Sequence, residues 1–176
     1  ASGSAAMARM GEAKGAIELL LAEAYARRDH VALIAFRGAG AEMLLEPTRS
    51  LVQTKRKLAD LPGGGATPLA AGLLAALAMA QQARRKGLTP TIITLTDGRA
   101  NMALDGTANR AEASADARTA ARALCAARVE AIVIDTGRKS EPALMQIADI
   151  IGGSYLPLPR ADARSLSTAV TRALED

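Results

Sequence analysis

Thr91-Ile92-Ile93-Thr94-Leu95-Thr96-Asp97-Gly98 is the run whose reading decides the fold. Six uncharged residues of strand length, rich in β-branched side chains, are followed at once by a carboxylate and a glycine. An uninterrupted run of this kind suits a strand covered on both faces of a parallel sheet. In open parallel sheets ligands bind just outside the carboxyl ends of the strands, so Asp97 stands where a site belongs.

Reading outward from that strand, helices and strands alternate. Upstream, Pro62-Gly63-Gly64-Gly65-Ala66 is a loop with little steric restriction. Thr67-Pro68 then carries the signature of an N-cap and first helical position. Leu69, Gly72, Leu73, Ala76, Leu77 and Ala80 continue the buried stripe of a helix, which Gly87 stops after Arg84, Arg85 and Lys86. Downstream, Arg99 to Asn109 is a polar loop containing Asp105-Gly106. Asn109 with Glu112 forms a capping pair for an alanine-rich helix reaching about Arg128. Val129 to Asp135 is a second buried strand, Glu141 to Ile151 a helix closed by Gly152-Gly153, Ser154 to Leu158 a short strand, and Ala163 to Leu174 a final amphipathic helix.

Toward the start of the chain, Ala13, Ile17, Leu20, Leu21 and Ala24 recur at helical spacing, opposite Glu12, Glu18, Glu23, Arg27 and Arg28. His30 to Phe36 reads as a strand buried on both faces, and Ala41 to Leu45 as its hairpin partner and an antiparallel edge. Ser50 to Leu61 is a short helix. His30, at the start of its strand, is read as a surface residue. The alternation predicts an α/β fold over a single domain, residues 1–176: a doubly wound, mostly parallel sheet with one antiparallel edge strand and helices on both faces.

Composition narrows the function. The 176 residues are 49% hydrophobic and 23% charged, ordinary values for one globular domain. No stretch approaches the roughly 20 apolar residues of a membrane helix, and the expected compartment is the cytoplasm. One cysteine excludes an internal disulfide framework, and Cys125, at helical spacing with Ala121, is read as a small core residue. The net charge of +4 comes from separate clusters, and the aromatics are two tyrosines and one phenylalanine. That combination argues against nucleic acid, which wants a continuous basic face and stacking platforms.

The chemistry lies in oxygen donors. Ala1-Ser2-Gly3-Ser4-Ala5-Ala6-Met7 presents two hydroxyls at alternate positions of a small-residue turn. Taken singly, Ser-Gly-Ser is an ordinary linker, Thr-Asp-Gly an ordinary turn and Thr67 an ordinary cap. Taken together, Ser2, Ser4, Thr67 and Asp97 are a ligand set for a hard divalent cation, which prefers oxygen donors.

This conjunction resembles the metal-ion-dependent adhesion site of von Willebrand factor A (integrin I-type) domains. Ala1 to Ser4 is similar to the tail of their Asp-x-Ser-x-Ser motif, Thr67 to their metal-site threonine and Asp97 to their last aspartate. Gly63-Gly64-Gly65-Ala66-Thr67-Pro68-Leu69 and the stretch from Thr96 to Gly106 resemble the C-terminal domain of magnesium chelatase D subunits. The resemblance implies Mg2+ or Mn2+ at the site, completed by an acidic residue of a partner protein. It further implies docking in a hetero-oligomeric ring with the AAA+ ATPase subunit, and with the porphyrin-binding large subunit. That assembly inserts Mg2+ into protoporphyrin IX in chlorophyll or bacteriochlorophyll synthesis, and ATP enters only through the AAA+ subunits. A cobalt-chelatase-like or other AAA+-associated role is the alternative.

Arg99, Asp105 and Asp135 are weaker candidates, to brace the ligands or face the partner. In the resembling family the serine turn follows a central strand ending in aspartate, so that strand and residue are expected upstream of Ala1. Catalysis by the domain itself finds little support. No Gly-Lys-Ser/Thr follows the glycine run, Pro68 removes a backbone donor there, and one histidine leaves no Ser/His/Asp set.

Overall fold

A computed structural model of the chain describes residues 14–61 apart from 16, residues 65–157, and two helical positions, 168 and 171. Of these, residues within Ala1–Leu33, Met43–Gly64 and Arg160–Asp176 form one compact unit, and those within Ile34–Glu42 and Gly65–Pro159 another. The elements in order are α1 (residues 17–26), β1 (Val31–Arg37), β2 (Gly40–Thr48), α2 (Leu51–Ala59), α3 (Leu69–Arg85), β3 (Thr91–Thr96), α4 (Arg110–Ala126), β4 (Glu130–Asp135), α5 (Pro142–Ile151) and β5 (Ser154–Pro157). None of the described helices is long and apolar enough to cross a membrane. The expected helix from Ala163 to Leu174 lies outside the described residues, except for the helical positions 168 and 171.

In the first unit, Leu21 of α1 and Leu58 of α2 are buried. Ser50 caps α2 by accepting from the Gln53 N–H, and the buried Thr54 donates its hydroxyl to the Ser50 carbonyl at 2.8 Å. Helix α1 ends with Arg28 in a left-handed conformation, φ 61°, where the Asp29 N–H reaches back to the Ala24 carbonyl at 2.9 Å. A left-handed residue just past a helix end satisfies carbonyls the helix leaves open.

Strands β1 and β2 pair across Gly38-Ala39, a two-residue connection that only antiparallel strands allow. Gly38 supplies the left-handed backbone of that turn at φ 60°. The partner strand is longer than the predicted Ala41 to Leu45 and carries Pro47. Contrary to expectation, β1 is only half-buried along its length. A two-stranded ribbon covers less of its own surface than the wide sheet the apolar run suggested.

The second unit holds a parallel sheet in the order β3-β4-β5, with Thr91 opposite Glu130, Thr96 opposite Asp135 and Ile132 opposite Ser154. The strands are thus hydrogen-bonded as two sheets, a parallel triplet and an antiparallel pair, and no described strand joins them. Helix α4 packs between α3 and α5. Its buried stripe is almost wholly alanine, Ala113, Ala117, Ala120 and Ala121 with Leu124, which lets the neighbouring helices approach closely. Leu69, Leu73, Val133, Leu144 and Ile147 complete that core. Gly72 lies under Phe36, and Gly153 against the Ala131 carbonyl, where a Cβ would stand only 2.3 Å from the oxygen.

Cys125 corrects its sequence reading. It is exposed, because the stripe passes through Ala121 and Leu124 and leaves the next position about 100° round the helix. His30 is exposed, as expected.

Candidate metal centre

Of the four candidate ligands, Asp97 follows β3 at the carboxyl end of the parallel sheet. Thr96, the last residue of β3, is buried, and its carbonyl accepts from the Thr136 N–H at 2.9 Å beyond the end of β4. Asp97 then leaves the sheet. Its carboxylate is exposed and has no hydrogen bond or ion pair among the described residues. Ala100 and Ala103 are buried and pin the loop that follows.

Thr67 reaches the same loop by a route the sequence did not suggest. Helix α3 starts at Leu69 without any side-chain cap. The Thr67 N–H donates to Asn101 Oδ1 at 2.7 Å, and the Asn101 N–H returns to the Thr67 carbonyl at 3.2 Å. Asn101, four residues past Asp97, therefore clasps the backbone of Thr67 from both sides. The capping reading fails because the threonine hydroxyl makes no bond to helix N–H groups; it has no partner among the described residues. A neutral hydroxyl and a carboxylate, both uncommitted and both tied to one loop, are the donor chemistry a hard cation takes. Ser2 and Ser4 lie outside the described residues. No group of three or more His, Cys, Asp or Glu side chains suited to a metal occurs among the described residues.

The secondary candidates have separate employment. Asp135 is 1% exposed, so it offers no surface to a partner. Its oxygens accept from the Gly137 N–H at 2.9 Å, the Glu141 N–H at 2.8 Å and the Tyr155 hydroxyl at 2.6 Å. Those bonds hold the β4–α5 loop, whose Gly137 comes so close to the Asp97 carbonyl that a Cβ would touch it at 3.4 Å. Burial, and then the bond to Asp135, raise the Tyr155 phenol above its usual value. Arg99 donates to Glu141 Oε2 at 2.8 Å, and Glu141 in turn caps α5 through the Ala143 N–H. Asp105 is exposed and accepts from both the hydroxyl and the N–H of Thr107, which hold its carboxyl below the usual aspartate range. Asn101, Glu141 and Tyr155 escaped the sequence reading. None carries a local signal: Glu is not a favoured N-cap residue, and the partners of Asn101 and Tyr155 are 34 and 20 residues away.

The profile of the von Willebrand factor type A domain matches residues 1–99, more than half of the sequence. The chain belongs to the von Willebrand factor type A domain family. This von Willebrand factor type A domain is 59% identical, over its whole length, to the Magnesium-chelatase 60 kDa subunit of Cereibacter sphaeroides, of which it spans 32%. It is 56% identical over 175 residues to the Magnesium-chelatase 60 kDa subunit of Rhodobacter capsulatus, spanning 31% of that protein. The chain thus covers about a third of the length of these curated relatives. Among solved structures, the SpRpn10 VWA domain superposes with a TM-score of 0.71 at 14% identity, over 92% of this chain and 82% of that one. That likeness speaks for the fold alone.

Proposed function

We propose that this domain is the metal-ion-dependent docking module of a magnesium chelatase D-type subunit. In that role it supports ATP-dependent insertion of Mg2+ into protoporphyrin IX in chlorophyll or bacteriochlorophyll synthesis. The observation that carries the reading is whole-chain identity of 59% to a protein named as a magnesium chelatase subunit. The uncommitted oxygens of Thr67 and Asp97 support it from the side of the chemistry. Ser2, Ser4, Thr67 and Asp97 would hold Mg2+ or Mn2+. When bound, such an ion supplies an open coordination position for a partner's acidic side chain.

The domain's own residues do the remaining work. The Asn101 clasp orients Thr67, and the loop braced by Asp135 sits against the Asp97 backbone. The proposed partners are the AAA+ ATPase subunit and the porphyrin-binding large subunit, within a hetero-oligomeric ring in the cytoplasm. ATP is bound by the AAA+ subunits, and the domain makes and breaks no bond itself.

The test is a titration of AAA+ subunit binding by the full-length protein, with Mg2+ and with EDTA. A unit charge pair at 4 Å and an effective dielectric of 20 is worth about 4 kcal/mol. Asp97→Ala should therefore weaken Mg2+-dependent binding by at least about 100-fold. Thr67→Ala, which removes a neutral donor, should weaken it by about tenfold. Both variants should remain folded. Affinity indifferent to EDTA and to both substitutions would sink the reading.

A further inference from the structure

Thr67 and Asp97 come from two different loops, and the residues around them tie those loops into one frame. Asn101 makes the direct tie: its Oδ1 accepts from the Thr67 N–H at 2.7 Å, and its own N–H donates to the Thr67 carbonyl at 3.2 Å. Thr67 also precedes Pro68, whose ring narrows the backbone freedom of the residue before it. Pro68 is itself fully buried, so that end of the tie is anchored.

The Asp97 side is held as well. Before it, the Thr96 carbonyl accepts from the Thr136 N–H at 2.9 Å. Beside it, Gly137 stands so close that a Cβ there would touch the Asp97 carbonyl at 3.4 Å, and the Gly137 N–H is fixed by Asp135. After it, Arg99 pairs with Glu141 at 2.8 Å and Ala100 is buried. Every one of these residues belongs to the second compact unit. The contacts of Thr96, Gly137 and Arg99 hold the Asp97 loop to the segment that joins β4 and α5. Among the described residues, the hydrogen bonds that join it to the Thr67 loop are those of Asn101. The side chains of Thr67 and Asp97 can turn about their own torsions, but their backbones cannot separate unless those bonds break.

Such a frame bears on which ion can enter. Mg2+ demands near-ideal octahedral geometry with oxygens at about 2.0–2.1 Å, whereas Ca2+ takes oxygens at about 2.3–2.6 Å in a looser arrangement, so spacing and rigidity separate the two. We infer that Asn101 is a specificity-determining positioning residue: by fixing the spacing of the Thr67 and Asp97 backbones, it makes the centre favour Mg2+ over Ca2+. This rests on the docking reading and deepens it, since it concerns which ion the proposed centre accepts. Asn101 bonds the backbone of Thr67 and not its hydroxyl, so it acts on the ion through Thr67.

The experiment titrates nucleotide-free full-length protein by calorimetry with MgCl2 and, separately, with CaCl2. Asp97→Ala serves as the reference for ions bound elsewhere, and thermal melts accompany each variant. Wild type should bind Mg2+ at the centre more tightly than Ca2+. Asn101→Ala keeps the backbone bond to the Thr67 carbonyl but loses the acceptor for the Thr67 N–H. It should lower the ratio of Mg2+ to Ca2+ affinity by about fivefold, chiefly by weakening Mg2+. Asn101→Asp keeps an oxygen for that N–H and adds a charge that favours both ions, so its ratio should stay at the wild-type value. Should Asn101→Ala fail to fold, Asn101→Ser carries the same expectation, because its oxygen stands one bond nearer its own backbone.

A wild-type ratio in Asn101→Ala or Asn101→Ser overturns the inference. So does an equal fall for both ions, which would mark Asn101 as a brace of the fold alone, or a lowered ratio in Asn101→Asp. Wild type that binds Ca2+ at the centre as tightly as Mg2+ overturns it too. The two readings fail separately. An ion signal at the centre with an unchanged ratio in Asn101→Ala removes the selectivity and leaves the docking reading standing. A wild type whose titrations match those of Asp97→Ala removes the ion, and both readings with it.

Discussion

Replacing Asp135 by asparagine keeps the shape of the side chain and removes its capacity to accept everywhere. In the wild type one oxygen serves the Gly137 N–H at 2.9 Å, while the other serves the Glu141 N–H at 2.8 Å and the Tyr155 hydroxyl at 2.6 Å. An amide has a single oxygen. If it stays with Gly137, the NH2 group faces the Glu141 N–H, donor against donor; Tyr155 can turn and accept. One hydrogen bond to a charged acceptor is lost, worth about 1.5–3 kcal/mol, and an N–H is left partnerless in a site where Asp135 is 1% exposed. Some of that is returned, because a neutral amide costs less to bury than a carboxylate. The net cost should be about 2–4 kcal/mol, a fall in melting midpoint of about 5–15 °C for a chain of this size.

Urea and thermal denaturation would read the effect, with Tyr155→Phe completing a double-mutant cycle in which the two losses are less than additive. A shift in Asp135→Asn below about 0.5 kcal/mol would refute the account of this network. Tyr155 adds a pH signature. Burial first, then the bond to Asp135, raise its pKa above the ordinary 10.0, so the folded state holds the proton more tightly than the unfolded chain. That contribution is complete below the unfolded pKa and is lost as pH climbs through the folded one. Wild type should therefore lose stability more steeply than Tyr155→Phe above about pH 10.

Gly153→Ala would place a Cβ 2.3 Å from the Ala131 carbonyl oxygen, which is backbone of β4 and cannot swing aside. Thermal denaturation should show a loss of about 3 kcal/mol, the upper part of the range for overpacking, and an unchanged midpoint would mean the strand can yield. Arg128 ends α4 at φ 50°, a left-handed conformation that suits glycine better. Arg128→Gly should raise the midpoint by about 2–4 °C, because the bonds from Arg84 go to backbone carbonyls and survive; a lower midpoint would show that the arginine side chain matters.

Features written in local sequence were the legible ones. Asn109 caps the helix it is expected to cap, and the run from Thr91 to Thr96 is a strand with Asp97 just beyond it. Misreadings arose where distant residues intervene. Thr67-Pro68 carries every local mark of a cap, but an acceptor 34 residues away claims the Thr67 N–H and the hydroxyl is left out. Asp135 is expected to brace the ligands or face a partner, because carboxylates are normally wet; the donors that make its burial tolerable are backbone N–H groups and a phenol, which no spacing announces. Cys125 was misplaced because alanines occur on every side of α4, so small apolar residues there do not mark a face.

The two sheets end unevenly. Strand β2 contains Pro47 and β5 is four residues long and closes on Pro157, and a proline cannot donate to another chain. Strand β3 ends its sheet with no such guard: six uncharged residues, three of them threonine, without proline or glycine and with one edge unpaired among the described residues. Short segments of that composition are the ones that recruit copies of themselves into fibrous aggregates when an edge is open. The strand that sets Asp97 in position thus relies on its neighbours, not on its own six residues, to keep that edge from pairing with another chain.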